Sequence, residues 1–165
     1  MKTRIECLKN TPAASAKVLI LGTLPGPLSL KLGQYYANPS NTFWDIIEKA
    51  LGIPRTSSYP SRVKRLTRQR IALWDVLASA ERRNSKDSAI RNVAYNDFAR
   101  FLLKNKSIEL VCFNGKKSAK YYGRWMRKNA DRLPRKPSYE TLPSTSKANT
   151  SMTAGKRLRR WKKIL

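Results

Sequence analysis

The side chains best suited to chemistry lie together in Gln34-Tyr-Tyr-Ala-Asn-Pro-Ser-Asn-Thr-Phe-Trp44. Tyr35 and Tyr36 supply planar rings that can stack on a flat base, and Asn38 and Asn41 supply carboxamides that can orient a water or a base edge. From Phe43 the chain turns amphipathic, with Phe43, Trp44, Ile46, Ile47, Ala50 and Leu51 at helical spacing. Thr42 as N-cap and Asp45 three residues on read as a capping box. The tyrosines and asparagines therefore fall in the loop that feeds a helix N-terminus. Such residues also make ordinary turns and pack, so the stretch gains chemical meaning only if other loops meet it.

The composition narrows the chemistry. The sequence has no histidine, which removes Ser-His-Asp triads, Cys-His pairs, His-ligated zinc and imidazole acid-base catalysis. Any reaction must use carboxamides, carboxylates, hydroxyls, lysine or backbone dipoles, and neither metal nor cofactor is expected. Cys7 and Cys112 are too few for a disulfide framework, and Cys112, in an apolar run, reads as a buried thiol. Thirty-five Lys and Arg against ten Asp and Glu give a formal charge of +25. That surplus predicts a polyanionic partner, nucleic acid first. A membrane surface is the competing partner, but the basic segments lack a long apolar face to insert. Residues 1–16 lack a signal-peptide core and no apolar run is long enough to span a bilayer. A soluble intracellular monomer is expected, cytoplasmic and nucleoid-associated in a prokaryote or nuclear in a eukaryote.

The elements that would position the aromatic loop alternate in type. Lys17–Gly22, Ile71–Leu77, Ile108–Phe113 and Tyr139–Leu142 read as strands, the first three as apolar runs of the buried parallel kind. Thr23-Leu-Pro-Gly-Pro27 is a turn, and Gly52-Ile-Pro54 closes the helix that starts after Thr42. Residues 55–70 read as a basic loop or short helix and 79–84 as loop. Asp87 or Ser88 is expected to cap a helix carrying Ile90, Val93, Phe98, Phe101 and Leu102. Basic helices are expected over 117–128 and about 152–164. This alternation predicts one α/β domain over 1–165, core about 17–161, as a three-layer sandwich: a four-stranded parallel sheet flanked by helices. Ligands of such sheets bind beyond the carboxyl ends of the strands. Loops 22–41, 75–88, 113–116 and 142–149 all fall on that rim.

Six segments occur in order: Gly22-Thr-Leu-Pro-Gly26, Tyr35 to Trp44, Leu73-Trp-Asp-Val76, Phe113-Asn-Gly115, Leu142-Pro-Ser-Thr-Ser146 and Ala148-Asn149. Together they resemble the uracil-DNA glycosylase superfamily, most closely its hypoxanthine (deoxyinosine) branch, a relative of the mismatch-specific uracil and thymine glycosylases. The resemblance spans about residues 17–161. It implies a parallel sheet between helices, a flipped-out base, double-stranded DNA with damaged or mispaired bases as partner, and a base-excision-repair reaction: metal-free hydrolysis of the N-glycosidic bond of a deaminated base, hypoxanthine or uracil. Leu24 stands where the mismatch-specific relatives carry a catalytic asparagine. The hypoxanthine branch also lacks it, and its asparagine before the first helix corresponds to Asn41, with Asn38 the second candidate. Lys147 replaces the branch's usual proline and Ser40 its usual arginine.

On this reading the base site comprises Gly22, Thr23, Leu24, Gly26, Tyr36 and Asn114. Each also has a plain reading. Asn41 either holds the water or caps the helix, and Tyr36 either stacks on the base or packs in the core. Asn114 either reads the base edge or only turns the chain with Gly115. Asp75 reads as a loop cap in preference to a general base. Ser144, Thr145, Ser146, Lys147 and Asn149 would contact DNA, or the segment simply leads into the final helix. The basic segments 62–70, 116–136 and 156–163 would meet phosphates. The alternative function is a catalytically inactive nucleic-acid-binding module on the same fold. A small-nucleotide enzyme is disfavoured, because no glycine-rich phosphate loop appears.

Overall fold

The computed structural model describes residues 3–82 and 90–165. In chain order its elements are β1 (Thr3–Glu6), β2 (Val18–Gly22), α1 (Pro27–Leu32), α2 (Phe43–Leu51), α3 (Tyr59–Arg68), β3 (Ile71–Asp75), β4 (Leu77–Arg82), β5 (Ile90–Tyr95), α4 (Phe98–Lys104), β6 (Leu110–Asn114), α5 (Lys116–Asn129), β7 (Ser138–Leu142) and α6 (Ala154–Lys162). Strands β2, β3, β6 and β7 form the expected four-stranded parallel sheet, in the order β3-β2-β6-β7.

The strands read as unbroken apolar runs because both faces are covered. Leu19 and Leu21 of β2 join Val111 and Phe113 of β6 in a layer with Phe98 and Leu102 of α4 and Tyr122 and Trp125 of α5. The alternate residues Ile20, Leu73 and Cys112 pack on the other side with Phe43 and Ile47 of α2, Leu66 of α3 and Trp161 of α6. A period of two thus feeds two cores rather than one core and solvent. The chain leaves β2 for β3 on one side and later returns to place β6 on the other. The gap between the carboxyl ends of β2 and β6 is therefore the topological switch point, where open parallel sheets form their crevice.

Three local expectations are corrected. Residues 79–82, expected as loop, belong to β4, and Ile90–Tyr95, expected as the start of a helix, form β5; with β1 they make a second, antiparallel sheet in the order β1-β4-β5. The helix begins only at Phe98, where Asp97 accepts the Arg100 N–H at 3.2 Å, and the expected caps Asp87 and Ser88 lie outside the described residues. The β4–β5 register shifts twice, and Asn92 has φ 48°. That irregularity sets Ile90 and Val93 against the core three residues apart, a spacing that imitates a helix turn. The capping box is also absent. Thr42 stands at the N-cap position, but the Phe43 N–H goes to Asn41 Oδ1 at 2.9 Å, and Asp45 pairs with Arg55. Residues 59–68 of the basic segment resolve to helix α3, where Arg62 lies 4.4 Å above the Trp44 ring.

Trp161 joins a layer to a loop. Its side chain is fully buried, meets Phe43 edge-on at 5.9 Å, and donates its indole N–H to the Pro143 carbonyl at 3.0 Å. Replacing Trp161 with alanine is expected to cost about 3–5 kcal/mol. Urea unfolding of Trp161→Ala beside the natural protein measures it, and a loss under 1 kcal/mol would contradict this packing.

Candidate active site

The β2–β6 crevice is lined by four loops, and each is held by bonds to another. Tyr36 closes one side. Its backbone is left-handed at φ 55°, and its ring stacks on Phe43 at 4.0 Å with 23° between planes. The residue is half-buried, but its hydroxyl is fully enclosed. A Cβ built on Gly22 would lie 2.5 Å from Asp75 Oδ1 and 3.3 Å from the Tyr36 hydroxyl. Gly22, the end of β2, is thus bare so that a carboxylate and a phenol can close over it. Burial first, and the Asp75 charge second, push the Tyr36 pKa up; the nearby Asn114 carboxamide pulls the other way, though its approach falls short of hydrogen-bond geometry. Tyr35 behaves differently. Its hydroxyl donates to the Leu8 carbonyl at 3.1 Å, and its own carbonyl accepts the Trp44 indole N–H at 3.0 Å, so it is buried structure.

Asn38 is exposed and turns the loop, its Oδ1 accepting from the Ser40 N–H and hydroxyl at 2.9 and 2.8 Å. Asn41 is half-buried and donates its N–H to the Asn38 carbonyl at 2.9 Å, while its Oδ1 caps α2. A carbonyl oxygen has two lone pairs, so that cap leaves one acceptor position for a water. The next residue reaches across the crevice: the Thr42 N–H and hydroxyl both donate to the Thr145 carbonyl, at 3.0 and 3.2 Å.

Asn114 ends β6, and both ends of its amide meet Thr145. Its Nδ2 donates to Thr145 Oγ1 at 2.8 Å, and its Oδ1 accepts the Thr145 N–H at 2.9 Å. Gly115 has φ 102°, and a Cβ there would meet Ser144 Cβ at 2.9 Å, so the last loop packs directly on it. Ser144 accepts the Ser146 N–H on its hydroxyl at 3.2 Å and the Asn149 Nδ2 on its carbonyl at 3.0 Å. Ser146 and Lys147 are exposed, whereas Thr145 is fully buried. The first loop bonds its neighbour strand: the Gly22 and Thr23 carbonyls accept the Val76 and Leu77 N–H groups at 2.9 and 3.1 Å. Leu24 packs into the core layer of Leu21, while Gly26 is exposed at the start of α1.

Three positions gain a role that residue type alone did not indicate. Ser29 of α1 is buried, accepts the Ala37 N–H at 3.2 Å on its hydroxyl, and so braces the Tyr36 loop. Asp75 is 3% exposed and faces Gly22 at the end of β3. Arg157, grouped in sequence with the phosphate-facing basic residues, is buried. Its place four residues before Trp161, on the same face of α6, is the signal that could have revealed it.

A parallel α/β sandwich with an aromatic and carboxamides gathered at its switch point has the layout of proteins whose ligands bind at the sheet's carboxyl rim. Comparison with known proteins makes the class specific. The profile of the uracil DNA glycosylase superfamily matches residues 8–165. Among similar proteins is a hypoxanthine DNA glycosylase of Methanosarcina acetivorans, 38% identical over 138 residues that cover 82% of each chain. A hypoxanthine DNA glycosylase of Methanosarcina barkeri is 36% identical over the same share. A solution NMR structure from Methanosarcina acetivorans, of a protein provisionally assigned as a uracil DNA glycosylase, superposes with a TM-score of 0.83. It is 31% identical, with 98% of this chain and 96% of that one covered. The chain belongs to the uracil DNA glycosylase superfamily.

The Gly22–Asp75–Tyr36 cluster and the buried phenols lead to three outcomes. Gly22→Ala is expected to push Asp75 aside, crowd the Tyr36 hydroxyl and lower stability by about 1–3 kcal/mol through overpacking, read by denaturant unfolding and by the Asp75 and Tyr36 side-chain shifts. The hydroxyls of Tyr35, Tyr36, Tyr59 and Tyr122 all have pKa values raised above the ordinary 10.0, burial being the first cause in each. The unfolded chain therefore releases these protons first, so stability is full below pH 10 and falls as pH rises beyond it. Asp75→Asn, which removes one raising charge, should bring the Tyr36 titration down; an unchanged midpoint in ring-labelled NMR would contradict the contact.

Proposed function

We propose that this chain is a monofunctional DNA N-glycosylase of base-excision repair that removes hypoxanthine, the deaminated form of adenine, from double-stranded DNA. Superfamily membership and the named activity of the two Methanosarcina relatives support the reaction class. The single observation that carries the site assignment is that the Asn41–Thr42 loop is hydrogen-bonded across the β2–β6 crevice to the Asn114–Thr145 pair.

Cleavage of a bond between a sugar and a base is largely dissociative. The C1′–N9 bond breaks with its electron pair passing to the base, and the oxygen of a water bonds to C1′. That water gives up one proton and the base anion takes one up, so the products are the abasic sugar with a C1′ hydroxyl and the neutral base. Catalysis by such a site rests on position and on donors aimed at the developing charge, so it needs no imidazole. In our reading the target nucleotide is extruded from the duplex. The base stacks on the Tyr36 ring, whose other neighbour is Phe43, and Asn41 Oδ1 holds the attacking water. Backbone N–H groups of the 22–26 turn approach the base, and Asn114, its amide bonded to Thr145, bears on the base by holding that loop at the rim. Ser144, Ser146, Lys147 and Asn149 meet the DNA backbone. Uncompensated lysines and arginines of α3, α5 and α6 supply phosphate contacts, so binding falls steeply with salt.

The test is excision from labelled duplexes holding deoxyinosine, uracil or no lesion, with alkali cleavage of the abasic product. Deoxyinosine is expected to be cut, and Asn41→Ala to lose on the order of a hundredfold or more in single-turnover rate. Asp75→Asn is expected to retain most of the rate. Salt-sensitive binding without cleavage of any damaged duplex would replace this reading with that of an inactive binding module.

A further inference from the structure

Arg157 is the one Lys or Arg among the described residues that is buried, at 7% exposure. Among those residues no carboxylate pairs with it. Its guanidinium instead donates to three oxygens on two separate stretches. Nη1 reaches the Thr42 hydroxyl at 3.3 Å, and Nη2 reaches the Asn149 carbonyl at 2.7 Å and the Met152 carbonyl at 3.4 Å. Nε is buried and meets no acceptor among the described residues. Thr42 in turn donates to the Thr145 carbonyl and directly follows Asn41.

A desolvated cation held by neutral oxygens is an expensive way to stabilise a fold, and an apolar side chain of similar volume would do as well or better. What the planar fork supplies is geometry, because its N–H vectors are fixed relative to one another. We propose that Arg157 is a positioning residue: it locks the 149–152 stretch of the DNA-facing loop onto Thr42 and so sets where Asn41 stands. This inference rests on the glycosylase reading above. It also separates Arg157 from Lys156 and Arg159, which are exposed on the same helix and free to meet phosphate. The position of the water-holding carboxamide then depends on the loop that touches DNA, two parts that are more than a hundred residues apart in the chain.

The experiment compares Arg157→Met, Arg157→Lys and Thr42→Val with the natural protein on a deoxyinosine duplex. Single-turnover rates at saturating enzyme are measured beside duplex affinity across a salt series. Both Arg157 variants are expected to slow excision by about ten- to a hundredfold, with affinity held within about threefold and an unchanged salt slope, whereas a lost phosphate contact lowers that slope by about one. Lysine restores the charge without the fork, so Arg157→Lys should stay slow even where Arg157→Met folds poorly. Arg157→Met combined with Thr42→Val should be slower by less than the product of the two single effects, since both cut the Arg157–Thr42 contact while Thr42→Val alone also loses the bond to the Thr145 carbonyl. A smaller salt slope with the rate retained would make Arg157 a phosphate ligand and overturn the proposal. A lower Tm with the saturated rate intact would make it merely structural and overturn it equally. A natural protein that cuts no damaged duplex would sink the glycosylase reading itself, an outcome distinct from active enzyme with unaffected Arg157 variants.

Discussion

One buried threonine ties the crevice together. Thr145 exchanges two hydrogen bonds with the Asn114 amide, and its carbonyl accepts two more from Thr42, so the ends of β6 and β7 and the start of α2 share a single residue. A polar group with no exposure must have its partners. Here those partners are the loops themselves, and the need to satisfy Thr145 therefore sets the shape of the rim. Gly115 belongs to the same constraint: its φ of 102° and its lack of a Cβ, which would stand 2.9 Å from Ser144 Cβ, let the last loop sit on the end of the sheet.

The opposite wall adds close approach to its hydrogen bonds. Asp75 and the Tyr36 hydroxyl converge on Gly22, and Tyr36 adopts a left-handed backbone that non-glycine residues seldom take. Such strain persists where surrounding contacts over-determine it. The stacked Phe43 ring and the Ser29–Ala37 bond are those contacts. A crevice assembled in this way has its dipoles held by packing and hydrogen bonds. That suits a reaction in which charge separates and the protein contributes by being already in place.

Electrostatics divides the molecule in a similar way. The described ion pairs are few, including Lys17–Glu109 and Arg160–Glu140 at the surface. Most of the +25 charge has no acid to neutralise it and faces outward, where it can draw a polyanion towards the protein. The buried Arg157 is the exception. Its neighbours are carbonyls and a hydroxyl, so its guanidinium is turned to the interior, while its charge still adds to the field outside.

Much of this was legible in the residues themselves. The apolar runs 17–22, 71–77 and 108–113 had to be buried strands, because no other element hides both faces of so short a run; their alternation with helices dictated a parallel sheet and hence a site on its carboxyl rim. The absence of histidine excluded whole classes of chemistry before any coordinate was known. Local pattern could not reveal β4 and β5, because a bulged strand sets its inward side chains three apart and so copies a helix. Nor could it tell which amide faced which partner: Asn41 caps α2, Asn114 is held by Thr145, and Asp45 turns to Arg55, by contacts spanning from two residues to thirty-one. Periodicity and composition are properties of neighbours along the chain, and they determined the sheet, the charge and the rim. The pairing of polar groups across the crevice is a property of neighbours in space, and only the packed tertiary structure decided it.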